Sequence, residues 1–166
     1  KEDPDIRNFA CSGLIEIKPS QYPVSFPMIY ENVITPIIND FNVQLVAFDR
    51  WQSINLSQQI YSDHEVDSVQ YSVNMENFND LRSEIYAGEC IFPKLEVPLE
   101  ELITLDTEIN ELVHGNPVSH LFLQMLLSKD TGRTVTKGDE STDDLLRALV
   151  LGHALMNDEE YEDLFD

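Results

Sequence analysis

The spacing of apolar residues changes along the chain from strand-like to helix-like, and the order of these segments predicts an α/β fold. Val43–Phe48 is short and almost wholly apolar, which is typical of a central strand covered on both faces. It ends in Asp49 and precedes a predicted helix at Ile54–Tyr61 and a strand at Val66–Val73. Asn8–Ile17 reads as an earlier strand.

A helix is predicted between the first two strands. Ser25 can cap it, and Pro27 suits its first turn. Pro36 lies inside and should kink or split the helix near Thr35. The order strand, helix, strand indicates a crossover, so we expect the Asn8–Ile17 and Val43–Phe48 strands to be parallel.

The second half of the chain carries further helix and strand signals. Asn74 can cap a helix that Gly88 ends. A short strand is predicted at Cys90–Phe92, and a helix begins at Pro98. The apolar segment Val118–Leu127 fits either a helix or a strand.

A hairpin with its turn at Gly132 is predicted from Asp130-Thr131-Gly132 and the residues after it. Three of the ten basic residues belong to this segment, namely Lys129, Arg133 and Lys137. It is either a solvated loop or a basic finger that contacts phosphate groups.

The last helix begins near Asp143 and Asp144, where the helix dipole favours negative charge. His153 lies among its apolar positions and is interpreted as a core or boundary residue with a satisfied hydrogen bond. Neither cysteine has an activating context.

The predicted elements together indicate one domain over residues 1–156. The acidic residues that follow, 157–166, are expected to form a mobile tail.

The excess of acidic residues limits the kinds of partner that the chain can bind. The 166 residues include 31 acidic and 10 basic side chains, a formal net charge of −21. This argues against non-specific nucleic-acid binding, which depends on Lys and Arg neutralising phosphates. It permits binding of divalent cations or of a basic partner. No apolar run approaches the ~18 residues of a membrane span, and no phosphate-binding glycine motif occurs.

Two acidic positions are candidates for chemistry. Asp49 ends a strand, where α/β folds build their sites, and Asp143 and Asp144 begin a packed helix. If they converge, their oxygens can hold Mg²⁺ or Mn²⁺, and a pair of such ions promotes phosphodiester hydrolysis. The alternative is that Asp49 merely ends a strand and caps the next segment.

The sequence around these acids resembles the C-terminal nuclease domain of large terminase subunits from tailed bacteriophages. The similar segments occur in the family's order: Val46–Ser53, Gln70–Val73, Asn77–Glu84, Gly88–Pro93, Leu99–Leu102 and Thr142–Leu149. The resemblance implies a ribonuclease H-like fold, a mixed sheet flanked by helices. It also implies an endonuclease that cuts concatemeric double-stranded viral DNA with Mg²⁺ or Mn²⁺, using two ions.

The resemblance assigns roles to individual residues. Asp49 matches the family's second acid, Asp144 matches its last acid, and Asp143 is a neighbour or co-ligand. Residues expected to contact DNA are Arg50, Lys129, Arg133 and Lys137. The implied partners are a terminase ATPase domain absent from this chain, the portal protein and the small terminase subunit. The implied location is the host-cell cytoplasm during phage assembly, and no membrane partner is expected.

The chain departs from the family pattern at its start. Family members begin with a three-stranded meander whose opening strand carries the first acid. The first strand predicted here, Asn8–Ile17, resembles the last strand of that meander. The opening strand and its acid are therefore expected to be missing. Asp3 and Asp5 are the candidate substitutes, but neither lies on a predicted strand, so either the chain is a truncated piece or the site is incomplete. Two alternative functions remain: a non-catalytic ribonuclease H-like docking module of the packaging machinery, and an acidic protein that mimics DNA.

Overall fold

The structure of the chain is a computed structural model that describes residues 9–17, 25–49, 54–94, 117–132, 135–136 and 143–164. The chain forms two compact units. The larger unit comprises Lys1–Glu16 and Val73–Ala154, and the smaller unit comprises Ile17–Ser72 and Leu155–Asp166. Helices predominate in the described ranges, where the strands form two sheets of two strands each. The expected α/β class is confirmed.

In the smaller unit, a helical stretch runs from α1 (Phe26–Ile29) through a π-helical turn (Tyr30–Ile34) into α2 (Thr35–Asp40). Pro36 explains the wide turn, because it has no N–H to donate and its ring needs space beside the preceding turn. The N–H of Thr35 donates to the carbonyl five residues earlier. The predicted kink or split near Thr35 therefore takes the form of a π-helical turn that ends at Ile34, while the chain stays helical through Pro36.

The smaller unit also contains a parallel crossover. It consists of β1 (Leu45–Phe48), α3 (Ile54–His64) and β2 (Asp67–Gln70), and the first residues of the two strands lie opposite each other. All four β1 residues are half-buried. Since successive residues point to opposite faces, each face of β1 is partly covered, and the full cover predicted for both faces is not observed. The helix continues beyond its predicted end at Tyr61.

The described part of the larger unit contains three helices: α4 (Met75–Ala87), α5 (Pro117–Leu127) and α6 (Asp144–Met156). The ambiguous apolar segment is therefore a helix. Asn74 caps α4 through a reciprocal capping box, and Gly88 ends it with φ 77°. Buried apolar side chains from these helices make the core: Leu81, Leu121, Leu123, Leu145, Leu146, Leu149 and Val150.

The hairpin prediction is confirmed by β3 (Lys129–Asp130) and β4 (Val135–Thr136), which pair antiparallel. The predicted strands Asn8–Ile17 and Cys90–Phe92 are wrong as strands. Among their described residues, Ala10 and Ile91 form a single parallel bridge. A strand needs a partner that pairs with several of its residues in succession, and apolar composition does not supply one.

Two further predictions concern the C-terminal tail and the segment after Pro98. The predicted mobile tail contains a 3₁₀ helix at Glu159–Leu164. The helix predicted from Pro98 lies outside the described residues. None of the helices in the described ranges is both long and apolar enough to cross a membrane.

Candidate functional site

Asp49 directly follows β1 in the smaller unit and is exposed. The strand pair is parallel, and the carbonyl of Phe48 accepts a hydrogen bond from the N–H of Tyr71 at 3.0 Å. Asp49 therefore stands at the carboxyl edge of two parallel strands, the edge where α/β sheets carry their ligands. Arg50, its predicted DNA-contacting neighbour, lies outside the described residues.

Asp144 is the first residue of α6 in the larger unit, and it is exposed. Asp143 precedes it, and its carbonyl accepts the N–H of Arg147 at 2.8 Å, which begins the helix. The Asp143 carboxylate is engaged as well, because it lies 2.7 Å from Nε of Arg147. Of the two adjacent acids, Asp144 is thus the more exposed one, and Asp143 is partly neutralised by an arginine.

Arg147 also reaches the hairpin. Its Nη2 donates to the backbone carbonyl of Val135 on β4 at 3.4 Å. The guanidinium therefore joins the start of α6 to the hairpin strand. This link was not predicted from the sequence.

A second link holds the start of α6 from another side. Gln124 on α5 is 2% exposed, and its Oε1 accepts the N–H of Leu146 at 3.0 Å. That amide belongs to the first turn, where helices have no carbonyl partner of their own. A glutamine within the apolar run Leu121–Leu127 was the available sequence signal, because a buried amide requires a hydrogen-bond partner.

The hairpin is held at its β3 side by an arginine on α4. Nη1 of Arg82 lies 3.5 Å from Asp130 Oδ2, and its Nη2 donates to Asn79 Oδ1 at 2.7 Å. The other oxygen of Asp130 accepts the N–H of Gly132, whose φ of 75° suits a glycine turn.

The predicted basic finger is described in part. Lys129 is exposed on β3, while Arg133 and Lys137 lie outside the described residues. The structure adds two arginines next to the hairpin that the sequence pattern did not associate with it, Arg82 and Arg147. Each of them is paired with a carboxylate.

The predicted site residues are thus divided between the two units. Asp143, Asp144 and the hairpin belong to the larger unit, and Asp49 belongs to the smaller unit. The convergence of Asp49 with Asp144 therefore stays a prediction. In the described parts of the chain, no three His, Cys, Asp or Glu side chains are grouped so that they could hold a metal ion.

Two buried histidines in the larger unit are each paired with a glutamate. Nδ1 of His120 lies 2.8 Å from the carboxylate of Glu16, and Nε2 of His153 lies 2.8 Å from Glu84. The histidine side chains are 7% and 1% exposed. Of the two positions predicted for His153, core or boundary, the structure shows the core position, with a partner at Nε2 that the sequence did not identify.

The pKa values of both cysteine thiols are raised in the structure. Burial raises the pKa of the Cys11 thiol, and a backbone hydrogen bond to Gly13 only partly offsets it. Burial also raises the pKa of Cys90, and the nearby charges of Glu84 and Glu89 raise it further. A raised pKa reduces the fraction of reactive thiolate, in agreement with the sequence analysis.

A groove of about 630 Å³ lies beside the hairpin in the larger unit. Apolar side chains of α4, α5 and α6 line most of it, among them Phe78, Phe122 and Val150. Arg82 and Asp130 stand among its polar lining residues. Its size falls within the range of small-molecule sites, although it contains none of the predicted acids.

No protein-family model, curated protein or solved structure matches this chain.

Proposed function

We propose that this chain is the metal-dependent endonuclease domain of a viral DNA-packaging terminase, with a ribonuclease H-like fold. The proposal rests on the ordered sequence resemblance. The observation that carries it furthest is the placement of two exposed acids. Asp49 follows directly on a parallel strand, and Asp144 opens a helix whose other side is buried.

The donor set suits a hard divalent cation. Asp49 and Asp144 are both exposed carboxylates, and carboxylate oxygens are the preferred ligands of Mg²⁺ and Mn²⁺. We assign the ion contacts to these two residues. A bound pair of ions would supply an activated water and charge stabilisation for the leaving oxygen of a phosphodiester.

Asp143 has a supporting role in this proposal. Its carboxylate is 2.7 Å from the Arg147 guanidinium, and this pairing competes with binding of a cation. Asp143 therefore orients the helix start and limits the negative charge next to Asp144. It is the sequence neighbour of Asp144 and stays a candidate co-ligand in this proposal.

The acidity of the chain requires an explanation, because DNA is also negatively charged. With a formal net charge of −21, the domain as a whole repels DNA. In this proposal the hairpin with Lys129, Arg133 and Lys137 contacts phosphates locally, together with Arg50. The remaining affinity comes from the terminase ATPase domain, whose partners by resemblance are the portal protein and the small subunit.

The test combines Mn²⁺ calorimetry with cleavage of supercoiled plasmid. Asp49→Asn and Asp144→Asn remove one charge each with little change in shape, and both are expected to lose Mn²⁺ binding and cleavage. Asp80→Asn is the matched control, because Asp80 is an exposed acid on α4. Mn²⁺ binding without cleavage in the wild type would indicate a site that lacks its first carboxylate. Mn²⁺ binding that depends on neither acid, or no binding, would overturn the proposal.

A further inference from the structure

The start of α6 is held by two side chains, neither of which belongs to the predicted metal site. Helices normally fray at their ends, because the first four N–H groups have no intrahelical acceptor. A side chain of the N-cap residue usually accepts one of these donors. Here the N-cap residue is Asp143, and its carboxylate binds Arg147 instead.

Gln124 takes over the capping function from a different helix. Its Oε1 accepts the N–H of Leu146 at 3.0 Å in a buried position, and Leu146 is the third residue of α6. The hydrogen bond spans 22 positions of sequence, so it ties the first turn of α6 to α5. Because Gln124 is 2% exposed, water cannot easily replace it as the acceptor.

Arg147 fixes the same turn against the hairpin. One edge of its guanidinium contacts the Asp143 carboxylate at 2.7 Å, and Nη2 reaches the Val135 carbonyl at 3.4 Å. A planar guanidinium holds two acceptors in fixed directions, which a lysine ammonium does not do. The turn that carries Asp144 is therefore held from α5 by a buried amide and from β4 by an arginine.

We infer that Gln124 and Arg147 are positioning residues for Asp144. They hold the backbone of its helical turn in place against the hairpin, without touching an ion or DNA themselves. This inference rests on the proposed function. Its physical basis is that metal-binding carboxylates bind tightly only when they are held within about 0.5 Å of the required geometry. Changes to such supporting residues typically weaken metal affinity about 10- to 100-fold.

The first measurement needs no variant and no metal. Amide hydrogen exchange of the wild-type chain is expected to show strong protection of the Leu146 N–H, although it lies in the first turn of a helix. Exchange at the rate of an unstructured amide would overturn the inference.

The second measurement compares Mn²⁺ affinity in variants by calorimetry, at a temperature where circular dichroism shows every variant to be folded. Gln124→Met removes the acceptor and is expected to weaken binding at least about tenfold. Gln124→Glu keeps an oxygen acceptor, so it should retain more affinity and more Leu146 protection than Gln124→Met, while the burial of a carboxylate lowers its overall stability. Arg147→Lys keeps the positive charge but lacks the planar guanidinium that holds two acceptors, so it should also weaken Mn²⁺ binding.

The control is Leu149→Val, which loosens the packing of the same helix without touching its first turn. If Gln124→Met and Leu149→Val weaken Mn²⁺ binding equally, or if Gln124→Met leaves it unchanged, the inference is overturned while the proposed function stands. If the wild type binds no Mn²⁺, the proposed function and the inference fail together.

Discussion

Nε2 of His153 lies 2.8 Å from a carboxylate oxygen of Glu84, and the histidine side chain is only 1% exposed. The pair joins α6 to α4 inside the larger unit. The ring of Phe9 stands edge-on to the imidazole at 5.4 Å. Two helices and the N-terminal segment therefore meet at one buried polar group, which gives this point of the core a specific arrangement that apolar contacts alone do not define.

Removing the glutamate from this pair should destabilise the protein. Glu84→Ala leaves the buried His153 Nε2 without its carboxylate, and an unsatisfied buried polar group costs about 1–3 kcal/mol. The free energy of unfolding measured with urea should fall by that amount. Asp80→Ala on the same helix is the control, and it should change stability by less than about 0.5 kcal/mol. Equal losses in both variants would contradict the role of the pair.

The end of α4 depends on a left-handed residue. Gly88 has φ 77°, and its N–H donates to the carbonyls of Glu84 and Ile85. Because a side chain in this conformation is strained, Gly88→Ala should lower the free energy of unfolding by about 1–2 kcal/mol. Gly13→Ala is the matched control, since its φ is not positive and an added methyl group meets no atom within 4 Å. A loss no greater than that of the control would contradict this explanation.

The hydroxyl of Tyr30 donates to Asp63 Oδ2 at 2.6 Å, which ties the π-helical turn to the end of α3. Burial raises the pKa of this phenol, and the hydrogen bond to Asp63 and its negative charge raise it further; a hydrogen bond with Thr35 acts in the opposite direction. The folded state thus retains the proton more strongly than the unfolded state, whose pKa is near 10. The resulting stabilisation is complete below pH 10 and is lost as the pH rises through the folded pKa.

Tyr30→Phe should therefore be less stable than the wild type by about 1 kcal/mol at pH 8, because the hydrogen bond is lost. The difference should shrink as the pH rises above 10. Urea unfolding of both proteins at each pH cancels the contributions of other titrating groups. Tyr61→Phe is the control, since that side chain on α3 is 60% exposed, and it should match the wild type throughout. A difference that is constant with pH would contradict the assignment.

Local signals explain why several elements were predicted correctly. Asn74 and Gly88 delimit α4 because capping and left-handed termination depend on residues within one turn of the helix end. Pro36 disturbs the regular α-helix before it for a reason contained in its own ring. The turn at Gly132 likewise depends on its positive φ and on the adjacent Asp130 side chain.

Predictions that required a distant partner were less successful. The apolar segments Asn8–Ile17 and Cys90–Phe92 have strand-like composition, but in the described structure their pairing is limited to Ala10 with Ile91. Val43–Phe48 was expected to be covered on both faces, whereas the described strand is half-buried. Strand formation depends on which neighbour is within reach, and that is a tertiary property.

For the candidate site as well, the sequence identified individual residues, whereas the contacts between them came from the tertiary structure. The sequence alone was sufficient to single out Asp49 after a strand and Asp144 at a helix start, because both positions are set by local periodicity. It also located the basic hairpin. Only the tertiary structure shows which side chains are partners. It pairs the Asp143 carboxylate with Arg147, the Gln124 oxygen with the Leu146 N–H, and the His153 ring with Glu84. Residue type and helical spacing define what a side chain is able to bind; which partner it meets depends on how the helices pack, since a hydrogen bond forms only within about 3 Å.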